Sequence, residues 1–265
     1  MIEVGDSPVG VSTGGRPLAT DQPLLVFVHG AGLDRTIWQL QTRYFAAHGF
    51  SVFAVDLPGH GRTPGPAPAS IAAGAAWLVE VVAAAGFDTA HVVGHSMGGL
   101  MALELAATHP TRVASLTLLG VAERMRVHPD LLAAAETDDH LAVELVSSWS
   151  LGRPAHRGGH PTPGLWMMGS AVRLLERAAP GTLHAGLAAC DAYQGAADAA
   201  AAVQCATLLL LGELDLMTKP RAAEPLAATL ADATVVVVPG AGHLLMVENP
   251  DVVIDTLAQF LVPVA

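Results

Sequence analysis

Three polar residues at widely separated positions have the types needed for nucleophilic catalysis. Ser96 lies at the centre of Gly94-His95-Ser96-Met97-Gly98, and Asp215 and His243 each lie in a different glycine-containing stretch. A serine hydroxyl is too weak an acid to attack a carbonyl unaided, so a base must take its proton. Imidazole changes charge near neutral pH, and a carboxylate can hold its ring in the required tautomer. We therefore predict Ser96 as nucleophile, His243 as base and Asp215 as the supporting acid.

The sequence around Ser96 indicates a strand, a sharp turn and a helix. A β-branched run at 91–93 precedes the turn, and a helical pattern at 100–108 follows it. Such a turn forces the serine into a sparsely populated backbone conformation, which requires small residues two positions away on either side. Gly94 and Gly98 meet that requirement. The N–H of Met97 would then point at the site where an oxyanion forms, and the start of the helix would favour negative charge there.

The rest of the chain predicts a sheet that can position these residues. Short apolar runs alternate with helical patterns, which implies right-handed crossovers and a mostly parallel sheet with helices on both faces. Functional residues collect just past the carboxyl ends of such strands, where Asp215 and His243 are found. Residues 1–20 predict an opening hairpin with a turn at Gly14-Gly15. The strong predicted strands are residues 24–28, 51–55, 113–119, 207–211 and 234–238.

The alternation stops between residues 121 and 203. This segment has helical stretches, an irregular region at 152–164 and no obvious strand, so we interpret it as an inserted helical cap (the cap segment). Its last part, Ala196–Ala202, is expected to form a helical hinge. The predicted organisation is therefore a first core part at 1–120, the cap segment at 121–203 and a second core part at 204–265.

Composition excludes several classes of partner. A net charge of −11 with 13 Lys and Arg argues against nucleic acid. No uncharged apolar run reaches the roughly 18 residues of a membrane span.

The acidic first residues lack a secretion signal, so we expect a cytoplasmic protein. Cys190 and Cys205 make no disulfide framework, and His156 and His160 lack a third ligand, so neither a metal nor a cofactor is expected.

Five stretches resemble the motifs of capped α/β-hydrolases with a serine nucleophile: HGAG (29–32), DLPGHGRT (56–63), GHSMGG (94–99), LLLGELD (209–215) and PGAGHLLMVENP (239–250). The resemblance covers nearly the whole chain outside the cap segment. It implies the α/β-hydrolase fold, the three catalytic roles above, and the backbone N–H groups of Ala31 and Met97 as oxyanion donors. Some members of this family place the acid near Glu123, which stays an alternative to Asp215. The histidines of these motifs, His29, His60 and His95, are expected to be hydrogen-bonded structural residues.

A serine at position 96 favours acyl transfer, because similar hydrolases that open epoxides or displace halide use aspartate there. We expect a carboxylesterase that cleaves small to medium, largely apolar esters through an acyl-enzyme, acting as a monomer or homodimer. Alternatives are a C–C bond hydrolase, whose members usually carry Asn where this chain has His95, and a cofactor-free perhydrolase. A slow-turnover ligand-binding receptor is a further alternative. The residues predicted to line the substrate pocket are Leu33, Trp149, Trp166, Met167, Met217 and Leu244.

Overall fold

A seven-stranded sheet forms the centre of the computed structural model, which describes residues 2–160 and 164–261. Its strand order is β3-β5-β4-β6-β7-β8-β9, and all neighbours are parallel except the edge strand β3, which runs antiparallel to β5. The strands are β3 (Val11–Ser12), β4 (Leu24–Val28), β5 (Ser51–Val55), β6 (Ala90–His95), β7 (Val113–Leu119), β8 (Thr207–Gly212) and β9 (Ala233–Val238).

Helices cover both faces of this sheet, as predicted. A 3-10 helix at Arg35–Trp38, capped by the Asp34 carboxylate, leads into α1, and the Ser70 hydroxyl caps α2 by accepting the N–H of Ala73. The core helices are α1 (Gln39–Ala47), α2 (Ile71–Ala84), α3 (Met97–Thr108), α10 (Pro220–Thr229), α11 (Leu245–Glu248) and α12 (Pro250–Leu261).

Strand β4 shows why the apolar runs are continuous rather than alternating. Leu24, Val26 and Val28 pack into one buried layer with α2 and α3. Leu25 and Phe27 pack into the layer on the opposite face with α1 and α12. Since successive side chains of a strand point to opposite faces, a sheet covered on both sides requires apolar residues at every position.

Six helices and no strand lie between β7 and β8 in the part of the cap segment that the structure describes. The last of them, at Ala196–Ala202, packs against α3 and buries Ala196 and Ala200 completely in the core. This helix is therefore packed into the core, and its role as a hinge stays a prediction. The division of the chain at residues 121 and 203 stays a prediction. The helices are α4 (Pro129–Glu136), α5 (His140–Ser150), α6 (Arg153–His156), α7 (Met167–Leu175), α8 (Thr182–Ala192) and α9 (Ala196–Ala202).

The N-terminal hairpin differs from the prediction in the position of its turn. Strands β1 (Ile2–Val4) and β2 (Ser7–Val9) pair antiparallel through a tight turn in which Gly5 has a φ of +58°. Glycine adopts this left-handed conformation at little cost. The predicted turn at Gly14-Gly15 also forms, after β3, with the Arg16 N–H donating to the Thr13 carbonyl at 3.3 Å, and a Cβ on Gly14 would lie 2.2 Å from the carbonyl oxygen of Thr42 in α1.

None of the helices in the described ranges is both long enough and apolar enough to span a bilayer.

Candidate active site

Ser96 occupies a strained backbone position between β6 and α3. Its φ of 52° and ψ of −120° place it in a region that L-residues rarely adopt, at a cost of about 1–3 kcal/mol. A Cβ on Gly94 would lie 2.4 Å from the carbonyl oxygen of Gly98, and a Cβ on Gly98 would lie 2.4 Å from that of His29. The expectation that these two positions need small residues is confirmed, and even a Cβ would clash at either one. The turn thus presents the Ser96 side chain away from the strand.

His243 and Asp215 form a buried pair beyond the carboxyl ends of β9 and β8. The His243 Nδ1–H donates to Asp215 Oδ2 at 2.7 Å, and both residues are buried. The second carboxylate oxygen of Asp215 accepts the backbone N–H groups of Met217 and Thr218, at 2.8 and 2.7 Å. These bonds fix the carboxylate on its loop. The residue in contact with the imidazole is therefore Asp215 and not Glu123.

Ser96 and His243 both lie beside the end of β7. The Ser96 N–H donates to the Leu119 carbonyl at 2.9 Å. The adjacent Gly120, with a φ of +61°, lies so close to the imidazole that a Cβ there would be 2.9 Å from both Cε1 and Nδ1 of His243. Among the described residues no hydrogen bond joins the Ser96 hydroxyl to the ring, although both side chains line the same cavities. In many enzymes this contact tightens only when substrate binds.

Ala31 and Met97 lie side by side next to Ser96. A Cβ built on Gly186 of α8 would lie 2.7 Å from the Ala31 Cβ and 2.9 Å from the Met97 Sδ, so both residues border one small region. Neither backbone N–H donates to any partner in the described part of the chain. Two free donors beside a nucleophile, one of them at the start of α3, can stabilise an oxyanion.

Buried histidines of the motif loops lie beside these groups. The His95 Nε2–H donates to the carbonyl of His243 at 3.0 Å, and the two rings lie 4.6 Å apart between centroids. The His29 Nε2 accepts the N–H of Leu57 at 3.1 Å. Burial, reinforced by a neighbouring histidine, lowers the pKa of both His29 and His95 well below 6.5. These bonds, and the one from His60 Nδ1–H to the Pro58 carbonyl at 3.0 Å, agree with the expectation of hydrogen-bonded histidines in the motif loops.

Glu248 is a buried acid that sequence reasoning missed. Its Oε1 accepts the N–H of Gly242 at 2.9 Å and its Oε2 accepts that of Gly152 at 2.8 Å. Burial raises the pKa of this carboxyl group. Glu248 therefore links the loop of His243 to the end of α5 in the cap segment. A single acid directly after the apolar run 244–247 was the only signal of this role in the sequence.

The predicted pocket residues divide into two groups. A cavity of about 760 Å³ and a smaller inner pocket of about 30 Å³ both contain Ser96 and His243. Trp149 lines the larger one, Leu33 and Leu244 line the inner one, and Met217 lines both.

Trp166 and Met167 do not reach these cavities. Trp166 precedes α7 and is 70% exposed. Met167 lines a separate cavity of about 480 Å³ between α7 and the helices that follow β4. The structure therefore does not bring these two residues to Ser96, because α7 directs its first turn away from the inner pocket.

Cys190 and Cys205 are free thiols. His156 and His160 donate to different backbone carbonyls, those of Leu151 and Val247. Within the described residues, no group of three or more His, Cys, Asp or Glu side chains is placed to hold a metal ion.

Comparisons with known proteins identify the family and the fold. Residues 25–256 match the sequence model of the alpha/beta hydrolase family. The chain is 32% identical over 253 residues to a pimeloyl-[acyl-carrier protein] methyl ester esterase of Aromatoleum aromaticum, covering 87% of this chain and 95% of the relative. An enol-lactonase from Burkholderia xenovorans LB400 superposes with a TM-score of 0.85 at 22% identity, over 97% of this chain and 98% of that one. A thermophilic esterase from Thermogutta terrifontis gives 0.83 at 25% identity, over 96% and 93%.

Proposed function

The chain belongs to the alpha/beta hydrolase family, and from this we propose that it is a serine carboxylesterase that uses Ser96, His243 and Asp215. The observation that carries the proposal is the strained Ser96, which shares a cavity with His243 while Asp215 holds the His243 ring at 2.7 Å. The esterases among its relatives support the same reaction class. Each of the three side chains comes from a different loop at one edge of the sheet.

The geometry supports acyl transfer in two steps. His243 Nε2 accepts the hydroxyl proton as the Ser96 oxygen attacks the ester carbonyl, and Asp215 stabilises the resulting imidazolium through Nδ1–H. The oxyanion of the tetrahedral intermediate accepts the N–H groups of Ala31 and Met97. Collapse expels the alcohol, which His243 protonates, and leaves an acyl-enzyme. Water, deprotonated by His243, then hydrolyses the acyl-enzyme and restores Ser96.

The two cavities beside Ser96 suit the two halves of an ester. The inner pocket of about 30 Å³ is lined by apolar side chains such as Leu33, Leu175 and Leu244, so it suits a small acyl group. The cavity of about 760 Å³ reaches exposed residues. The alcohol half of the ester must leave the site before water can reach the acyl-enzyme. We therefore place the alcohol half in the larger cavity, which opens to exposed residues. Trp149 and Leu187 of the cap segment form part of its wall, consistent with a cap over the site.

A direct test measures hydrolysis of p-nitrophenyl acetate and labelling by a fluorophosphonate probe, which reacts with activated serines. Ser96→Ala is expected to lower kcat by about 10⁵-fold or more and to abolish labelling. Ser170→Ala, an exposed serine of α7, is the matched control and is expected to retain both. Undiminished turnover in Ser96→Ala would exclude the proposed mechanism.

A further inference from the structure

Two unpaired cations line the larger cavity beside Ser96. Arg126 lies between β7 and α4, and Lys219 lies directly before α10, in the loop that follows Asp215. Both side chains are exposed at the cavity wall. Within the described residues, neither forms a hydrogen bond or an ion pair. Two separate segments of the chain therefore bring free positive charge to one cavity.

This positive charge is unusual for the chain as a whole. The sequence has 24 acidic residues against 13 Lys and Arg, and Lys219 is its single lysine. Asp191 also lines the cavity, but its Oδ1 accepts the N–H of Val127 at 2.9 Å. Asp191 makes no ion pair with either cation. His128 also lines the cavity, and its Nδ1 lies 3.8 Å from Asp130 Oδ2.

The remainder of the cavity is mostly apolar. Leu131, Trp149 and Leu187 line it together with the two cations and Ser96. A guanidinium group matches a carboxylate in shape and can bind it through two parallel hydrogen bonds, while an ammonium group adds a point charge.

We propose that the substrate is an ester whose alcohol half carries a carboxylate, bound by Arg126 and Lys219 while the small acyl group occupies the inner pocket. This inference rests on the proposed esterase function. It replaces the expectation of a largely apolar ester with an anionic one.

The test compares two acetate esters that differ in one group, 4-acetoxybenzoate and the neutral 4-acetoxybenzamide. The wild-type enzyme is expected to have a kcat/KM about tenfold higher for the carboxylate ester, as a charged hydrogen bond implies, mainly through KM. This preference should decline as salt screens the charges. The double variant Arg126→Gln/Lys219→Gln should hydrolyse both esters with similar kcat/KM. Arg126→Lys/Lys219→Arg, which keeps both charges, should retain most of the preference.

A matched control removes two positive charges elsewhere. Arg43→Gln/Arg157→Gln changes two exposed arginines that do not line the cavity and should keep the wild-type preference. Equal rates for the two esters in the wild type, or a preference that survives in Arg126→Gln/Lys219→Gln, would overturn the inference. Fluorophosphonate labelling of Ser96 verifies that each variant is folded. If the wild type hydrolyses neither ester and Ser96 is not labelled, the esterase proposal itself fails.

Discussion

The backbone N–H of His243 donates to the carbonyl of Ser150 at 2.7 Å, which joins the loop of the proposed base to the last residue of α5. Leu244 donates to the same carbonyl at 3.0 Å. Glu248 adds two further bonds across this junction, to Gly242 and Gly152. The position of the imidazole is therefore tied to the cap segment as well as to the sheet.

The first prediction concerns Glu248. In Glu248→Gln only one side-chain oxygen can accept, so the amide nitrogen faces either the N–H of Gly242 or that of Gly152. We expect a loss of about 1–3 kcal/mol in the free energy of unfolding, measured with urea. We also expect a lower kcat with little change in KM, because the His243 loop shifts. Glu224→Gln, an exposed acid in α10, is the control. Unchanged urea midpoint and kcat would contradict the positioning role.

The second prediction distinguishes the two possible acids. In Asp215→Asn the side-chain oxygen can still accept the N–H groups of Met217 and Thr218, so the NH₂ group faces His243 Nδ1. The imidazole then carries its proton on Nε2 and cannot act as a base. We expect kcat to fall about 10⁴-fold. Glu123→Gln should retain activity, since His243 makes no contact with Glu123. The reverse result in esterase assays would assign the acid to Glu123.

The third prediction concerns stability in acid. Because burial lowers the pKa of His95 below 6.5, the folded chain binds fewer protons than the unfolded chain between that lowered value and 6.5. The free energy of unfolding should therefore be undiminished above this window and fall as pH drops through it, by about 1.4 kcal/mol per pH unit for each proton. Urea titrations at several pH values measure this slope.

His95→Gln isolates one of these protons. The glutamine amide can still donate to the carbonyl of His243, but it does not titrate, so the slope below pH 6.5 should decrease. Glu248 has a raised pKa and acts in the opposite direction, which makes the comparison with wild type more informative than the absolute slope. His109→Gln, an exposed histidine, serves as control. A slope that is identical in His95→Gln and the wild type would refute the prediction.

The fourth prediction uses the wall between two cavities. Leu244 and Ala171 line both the inner pocket and the separate cavity of about 480 Å³. Leu244→Ala should connect the two and raise the ratio of kcat/KM for p-nitrophenyl hexanoate over acetate by about tenfold. A loss of about 2–5 kcal/mol in stability is expected from the cavity left behind. The control is Leu141→Ala, at a leucine that is 45% exposed. An unchanged ratio in a folded variant would show that Leu244 does not limit acyl length.

Local patterns were sufficient to predict most of the sheet. Strands β4, β5 and β7 begin and end at the predicted residues, because a sheet covered on both faces needs uninterrupted apolar runs. Asp34 and Ser70 follow an equally local rule, since short polar side chains satisfy free N–H groups at helix starts. The Gly14-Gly15 turn forms as predicted, but the first hairpin turns earlier, at Gly5, because two glycine stretches were available and only the strand pairing decides between them.

Contacts between distant segments could not be predicted. Glu248 and Gly152 are 96 residues apart and meet through a backbone donor, which has no sequence signature. Trp166 illustrates the opposite error, because its aromatic side chain favours a place in the pocket, whereas the structure leaves it 70% exposed. The free charges of Arg126 and Lys219 became informative only once the fold placed both on one cavity.

Because Lys219 is the single lysine of the chain, reagents that target ε-amino groups will modify one side chain, on the wall of the larger cavity. Immobilising the enzyme through lysine on an activated resin would therefore block access to Ser96. The same property makes Lys219 a natural position for a single fluorophore that reports when this cavity is filled.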